Sequence, residues 1–187
     1  MSFDSARILA GVGALLAGIG IFGYVIPSII GLILFLVGMV ELADYFNDSR
    51  LKSDVTNWFI FGLIALIVLT IGVFLAVIPI TFLFSGVHMN YPMIPYHPYH
   101  PFLASLLIII VVVIITAVFF LLSAIYLRRA MSSMSSHTGE RLFESGGLIY
   151  LIGAILTFII VGVLIILVAW IIIGVALLSI KEPSRNP

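Results

Sequence analysis

Segment 102–127 of this chain, FLASLLIIIVVVIITAVFFLLSAIYL, runs for 26 residues without a charged side chain, and Arg128 and Arg129 follow it directly. A helix needs about 20 apolar residues to cross the hydrocarbon core of a bilayer, which is about 30 Å thick. The segment is therefore long enough for one transmembrane helix. The two arginines mark the end that stays in water.

The composition of the whole chain agrees with this interpretation. Of its 187 residues, 63% are hydrophobic and 9% are charged, whereas soluble domains are about 45–50% apolar and about 25% charged. The formal net charge is zero, so nothing favours nucleic acid as a partner. The chain has no cysteine, which removes disulfides and thiolate metal sites. We expect one integral membrane domain over residues 1–187.

Further apolar runs lie on both sides of this segment. Residues 8–46 would form a helix of about 58 Å, which is too long for one span, and Pro27-Ser28 predicts a break. Residues 148–180 would form a helix of about 50 Å, and we expect a turn near Gly162. The two runs are similar, since ILAGVGALL from Ile8 resembles IYLIGAIL from Ile149. The predicted spans are 8–26, 29–46, 58–84, 102–127, 148–162 and 164–180.

The fold class predicted from these spans is all-α. We expect a polytopic transmembrane helix bundle of six spans, in which two related hairpins flank a central pair. Trp58 and Tyr126 would lie at the inner membrane interface, which aromatic side chains prefer.

The distribution of charge predicts the orientation. Basic residues collect in short cytoplasmic loops. With both termini cytoplasmic in a cell-membrane protein, all eight basic residues fall inside, and the loop 85–101 falls outside. Terminal hairpins that enter the membrane and return to the same side without crossing it would place the basic residues on the same side. The basic residues are Arg7, Arg50, Lys52, Arg128, Arg129, Arg141, Lys181 and Arg185.

The external loop has the most unusual local sequence, HMNYPMIPYHPYHP over residues 88–101. Imidazole together with thioether suits copper, and imidazole alone suits zinc. The candidate metal ligands are His88, His97, His100, Met89 and Met93. The alternative is a stiff lid of proline and tyrosine at the outer interface.

Two carboxylates, Glu41 and Asp44, are three residues apart near the inner end of the second span. Such a pair could bind a cation or relay protons. However, the pair lies within reach of Arg50 and Lys52, so we expect interfacial ion pairs.

Small residues recur along the first span at the spacing that lets two helices approach closely. Their glycines also imitate a nucleotide-binding fingerprint, but no strand precedes them, so we expect helix packing. The partner is either another helix of the chain or a second protomer. The residues of this face are Ala10, Gly13, Ala14, Ala17 and Gly18.

The inner segment 128–147 is rich in serine and contains His137. It predicts a flexible cytoplasmic linker followed by a short interfacial helix, with Thr138 as a cap. We expect His137 to be solvated and without a further role.

Three stretches resemble an archaeal and bacterial membrane family, domain of unknown function family 996. They are ARILAGVG from Ala6, IGLILFLVGMVELADYF from Ile30 and TGERLFESGGLIYLIG from Thr138. The resemblance covers most of the chain. It implies a polytopic membrane protein and supplies neither an activity nor catalytic residues.

The chain contains no catalytic arrangement of serine, histidine and carboxylate, no HExxH motif and no phosphate-binding loop. We therefore expect no enzyme activity, no catalytic residue and no cofactor. The leading hypothesis is a non-catalytic structural or accessory subunit, with the lipid bilayer and either copies of itself or other membrane subunits as partners. The alternative is binding or transport of a metal (Cu or Zn) or a small solute through residues 88–101.

Overall fold

The computed structural model describes residues 1–20, 25–84, 99–158 and 160–182. These residues form an all-α structure, and none of them lies in a strand. In chain order the helices are α1 (Phe3–Ile19), α2 (Val25–Tyr45), α3 (Ser49–Phe84), α4 (Tyr99–Thr138), α5 (Leu142–Ile155) and α6 (Ile160–Ser179), with a 3₁₀ helix at Leu156–Phe158.

Within the described ranges, four helical stretches are long and apolar enough to cross a membrane. They are Ile26–Tyr45, Ser49–Ile78, Ser105–Thr138 and Val161–Ser179. The helices α1 and α5 have 17 and 14 residues, which correspond to lengths of about 25 and 21 Å. Both are therefore shorter than a bilayer core of about 30 Å.

The helices α2 and α6 begin earlier in the chain than predicted. The helix α2 begins at Val25, so Pro27 lies in its first turn, where a helix does not require the missing N–H. Similarly, Gly162 lies in the first turn of α6, after the 3₁₀ helix. A Cβ atom at Gly162 would lie 2.2 Å from the carbonyl carbon of Leu156, so glycine permits this close approach.

The predicted linker 128–147 is mostly helical. The helix α4 continues to Thr138, Gly139 follows with a φ of 71°, and α5 starts at Leu142. The serine-rich part stays in the helix because Met131 and Met134 are fully buried on its inner face. The sequence did carry a signal for that face, since Leu127, Ala130, Met131 and Met134 follow the i, i+3, i+4, i+7 period of a helix, but the serines between them suggested a linker.

The first compact unit comprises residues 1–60 and 121–187. In it α1 packs against α2 and α6, and α5 packs against α6. Four aromatic side chains from α2, α3, α5 and α6 meet in its core. The ring centroids are 5.1 Å apart for Phe35 and Trp58, 5.1 Å for Phe35 and Trp170, 5.8 Å for Trp58 and Trp170, and 5.6 Å for Tyr150 and Trp170.

Trp58 is a member of this aromatic core and is only 4% exposed. It therefore does not face the membrane interface as the sequence suggested. The hydroxyl of Ser123 on α4 donates a hydrogen bond to the Trp58 carbonyl at 2.8 Å, which joins α3 and α4 at the same level.

The second compact unit comprises residues 61–120, which contain the remaining parts of α3 and α4. Within it the rings of Phe61 and Phe119 stack with a centroid distance of 6.1 Å, and Gly72 faces Val112. Many of its large apolar side chains are exposed, and Phe74 and Leu107 reach 69% and 63%.

Candidate functional site

A polar junction forms in the first unit where α2 ends and α3 begins. Asn47 adopts a left-handed backbone conformation with a φ of 52°, which asparagine tolerates, and the chain then reverses into α3. Asp48 caps α3, because its Oδ1 atom accepts hydrogen bonds from the backbone N–H groups of Arg50 and Leu51, both at 2.9 Å.

The second carboxylate oxygen of Asp48 ties this cap to α4. Its Oδ2 atom accepts a hydrogen bond from the Ser133 hydroxyl and lies 2.9 Å from Nε2 of His137. The His137 ring stacks on Phe46 with a centroid distance of 4.8 Å and an interplanar angle of 7°. His137 is thus part of the junction through its contacts with Asp48 and Phe46, and as a residue it is exposed to solvent, as predicted.

The hydrogen bonds around Asp48 stabilise its charged form. The bond from Ser133 lowers the pKa of Asp48 most, partial burial opposes it, and the bonds from Leu51 and His137 lower the pKa further. The net effect places this pKa well below its ordinary value of 3.8. Asp48 is therefore a carboxylate at any pH near neutrality.

A pocket of about 590 Å³ adjoins the junction, and α3 and α4 supply its walls. Asp54 lies in this pocket and is only 7% exposed. The two guanidinium groups of the pocket influence Asp54 electrostatically, but its carboxylate has no hydrogen-bond or ion-pair partner among the described residues. The lining residues are Arg50, Asp54, Arg129, Ser132, Ser133 and Ser136.

The two carboxylates that the sequence singled out, Glu41 and Asp44, lie near this junction and bind separate cations. Lys52 Nζ lies 2.8 and 2.9 Å from the two Asp44 oxygens. Glu41 Oε2 lies 3.1 Å from the amino group of Met1. Each carboxylate has its own cationic partner, so the structure does not bring Glu41 and Asp44 together around one ion.

Charged groups near the ends of the chain lie at the same end of the first unit. Arg7 donates hydrogen bonds to Asp4 at 2.7 Å and to the carbonyls of Leu178 and Ile180 at 3.0 and 2.7 Å. A cation in this position stabilises the carboxyl end of α6. Tyr45 donates a hydrogen bond to Glu182 at 3.0 Å, which joins the end of α2 to the segment after α6.

The small-residue face of α1 is buried within the chain. A Cβ atom at Gly13 would lie 2.3 Å from the backbone nitrogen of Phe35 and 2.7 Å from the carbonyl oxygen of Gly31, so α1 and α2 meet backbone to backbone. Gly18 faces Trp170 on α6. The buried residues of this face are Ala10, Gly13, Ala14, Ala17 and Gly18.

The predicted metal ligands are not brought together by any described contact. His88, Met89, Met93 and His97 lie outside the described residues, and His100 lies in the first turn of α4 without a described side chain. Within the described ranges, no three histidine or carboxylate side chains cluster as metal ligands do.

Sequence reasoning missed Asp48 and Asp54, although one signal was present. Asp48-Ser49 directly follows the end of an apolar run, and aspartate in that position is typical of a helix N-cap. Asp54 carried no such signal, because its burial depends on α4 packing beside α3.

Comparison with known proteins identifies the family and no activity. The chain is 24% identical over 189 residues to an uncharacterized protein, MJ1644, of Methanocaldococcus jannaschii, and the alignment covers 100% of this chain and 97% of that protein. No solved structure matches the chain. The profile of DUF996, a family described as protein of unknown function, matches residues 27–171. Together with the apolar helices, these matches indicate a membrane protein, and the chain belongs to the DUF996 family.

Proposed function

We propose that this protein is a non-catalytic structural or accessory subunit of the cell membrane, which assembles with copies of itself or with other membrane subunits through residues 61–120. The observation that carries the proposal is the exposure of that region. In the most apolar 18-residue stretch of each helix, 17% of the residues in α3 and 6% of those in α4 are buried. The corresponding shares for α2 and α6 are 33% and 44%.

Lipid or apolar helices must cover such a surface, because large apolar areas are not left in water. Leu107 and Phe74 are examples from α4 and α3 that protrude into the surroundings. Helices in a membrane associate through close packing of such surfaces, so this unit is the part of the chain best suited to contact a partner.

The absence of native cysteine makes the test specific. Leu107→Cys and Phe74→Cys variants are expected to cross-link in native membranes, with Ile26→Cys, which is 72% exposed on α2, as the matched control. A product of twice the 20.4 kDa chain mass would show self-assembly, and another mass would show a different subunit. Monomer alone at all three positions, in membranes and after purification, would contradict the proposal.

The proposed topology has six spans with both termini in the cytoplasm, supported by the charged groups at one end of the first unit. Single cysteines at Ser2 and Ser132 should then react with a membrane-impermeant thiol reagent only after the membrane is opened. A cysteine at Asn90 should react in intact cells. Labelling of Ser2→Cys or Ser132→Cys from outside would contradict this topology.

Metal binding by the histidine-rich segment stays a separate prediction from the sequence. Copper or zinc content is expected to fall when His88, His97 and His100 are replaced by alanine in protein purified at neutral pH, since neutral imidazole is the ligand. Unchanged metal content in the triple variant would exclude metal binding by these histidines.

A further inference from the structure

The pocket between α3 and α4 carries two guanidinium groups and one carboxylate, none of which makes a hydrogen bond or ion pair with another described residue. The Arg50 and Arg129 side chains are exposed and have no hydrogen-bond acceptor among the described residues, and Arg129 also lies over the Tyr126 ring at 5.5 Å. Asp54 is 7% exposed as a residue, and its carboxylate, although both guanidinium groups act on it electrostatically, has no hydrogen-bond donor among the described residues. A buried carboxylate without a donor is costly, whereas two exposed guanidinium groups can bind an anion, so a ligand that carries both an anionic and a donor group would fit this pocket.

The chemistry of the walls specifies that ligand. Guanidinium groups bind phosphate oxygens through paired hydrogen bonds, and the hydroxyl of Ser132 can donate to the same oxygens, whereas the Ser136 hydroxyl donates to the Ser133 carbonyl at 2.7 Å. The Asp54 carboxylate only accepts hydrogen bonds, so it requires a donor, and an ammonium group satisfies it best. A volume of about 590 Å³ is ample for a small phosphate ester.

We propose that this pocket binds a phosphate ester that also carries an ammonium group, with Arg50 and Arg129 on the phosphate and Asp54 on the ammonium. The same chemistry occurs in a phospholipid headgroup and in a soluble phosphate ester. This binding site is independent of the assembly proposed above.

The position of the pocket along the helices favours the lipid source. Asp54 precedes Trp58, where the apolar part of α3 begins, by four residues or about 6 Å of helix. Arg129 follows Leu127, where the apolar part of α4 ends, by two residues or about 3 Å. Basic pockets between helices at this level are typical sites for lipid headgroups.

The test compares ligands of equal net charge. Phosphatidylethanolamine and phosphatidylcholine both carry one phosphate and one cation, but only the first has N–H donors. Binding of each to the purified full-length protein is measured by native mass spectrometry, and binding of phosphoethanolamine and phosphocholine by calorimetry. We expect tighter binding of the ethanolamine form in at least one pair. A preference within the lipid pair would indicate a phospholipid headgroup as the ligand. A preference within the soluble pair would indicate a soluble phosphate ester.

Variants of the pocket residues test the phosphate contact and the ammonium contact separately. Arg50→Gln and Arg129→Gln should each weaken ethanolamine and choline forms alike, roughly tenfold to hundredfold, as for loss of a charge-assisted hydrogen bond. Asp54→Leu should remove the preference for ethanolamine over choline. Arg128→Gln is the matched control, because Arg128 is exposed on the same helix and does not line the pocket.

Each variant is first checked for native helix content by circular dichroism and for its elution volume in gel filtration. Wild-type affinity of the folded Arg129→Gln and Arg50→Gln variants would overturn the proposal. A retained ethanolamine preference in folded Asp54→Leu, or failure of wild-type protein to bind any of the four probes, would overturn it as well.

Discussion

The two compact units are built from the same apolar residue types but bury them very differently. In the first unit α1, α2, α5 and α6 approach through glycine and alanine around an aromatic core, and side chains such as Phe35 and Ile173 are fully buried. In the second unit, residues 61–120, side chains such as Phe74 and Leu107 point outward. Hydrophobicity alone thus does not indicate burial in this chain.

The aromatic core offers the strongest test of this difference. Trp170→Ala should lower the free energy of unfolding by about 3–5 kcal/mol, because it leaves a cavity between three other rings. Phe74→Ala in the second unit should cost much less, since that side chain is 69% exposed. Denaturation in detergent measures both, and equal losses would refute the distinction between the units.

The glycine contacts provide the next test. Gly13→Ala should destabilise the protein by about 1–3 kcal/mol, because the new Cβ would meet the backbone of α2, which cannot move without separating the helices. Gly18→Ala should cost less, because its Cβ would lie 3.2 Å from the Trp170 Cβ, an overlap that a shift of a few tenths of an ångström relieves. Thermal unfolding of the two variants is compared with that of Val12→Ala, a neighbour that is 40% exposed. The reverse order would contradict the prediction.

The lowered pKa of Asp48 predicts that the stability of the folded protein depends on pH. Asp48→Ala should cost about 0.5–2 kcal/mol at neutral pH through loss of the α3 cap. The pKa of Asp48 is lowered in the folded protein, so its contribution is complete above the unfolded value of 3.8 and is lost as pH falls below it.

The measurement for Asp48 is the stability of wild-type protein and Asp48→Asn between pH 3 and 7. Asparagine keeps a capping oxygen but does not titrate, so the stability difference between the two proteins should shrink as the pH falls below about 4. A constant difference over this range would show that the hydrogen bonds from Ser133 and His137 do not stabilise the charged form.

The smallest expected effect concerns one polar contact in the first unit. Ser123→Ala removes the hydrogen bond to the Trp58 carbonyl and should cost about 1 kcal/mol. Thr70→Ala in the second unit is the control, because among the described residues the Thr70 hydroxyl donates to the Leu66 carbonyl in the preceding turn of its own helix. Unfolding measurements that show no difference between these variants would indicate that the Ser123 contact contributes little.

Part of this structure could be predicted from residue patterns. Long uncharged runs specified apolar helices, and the regular spacing of Ala10, Gly13 and Ala14 indicated a face for close packing. The helix ends were less predictable. The break before α2 does not coincide with Pro27, and Ser-rich residues after Arg129 remain helical because buried methionines hold them.

The candidate site was harder to predict than the helices. Glu41 and Asp44 were noticed because they are close in sequence, but the structure gives them separate partners. Asp48 and His137 are 89 residues apart and meet only because α3 and α4 lie side by side. No local pattern encodes such a pair.

The sequence by itself determined that the chain is helical, apolar and a member of a membrane-protein family, because composition and the length of uncharged runs act locally along each helix. The tertiary structure alone decided which apolar side chains are buried and which charges meet. Both depend on contacts between residues distant in sequence, so the charged pocket formed by Arg50, Asp54 and Arg129 becomes visible only once α3 and α4 are packed together.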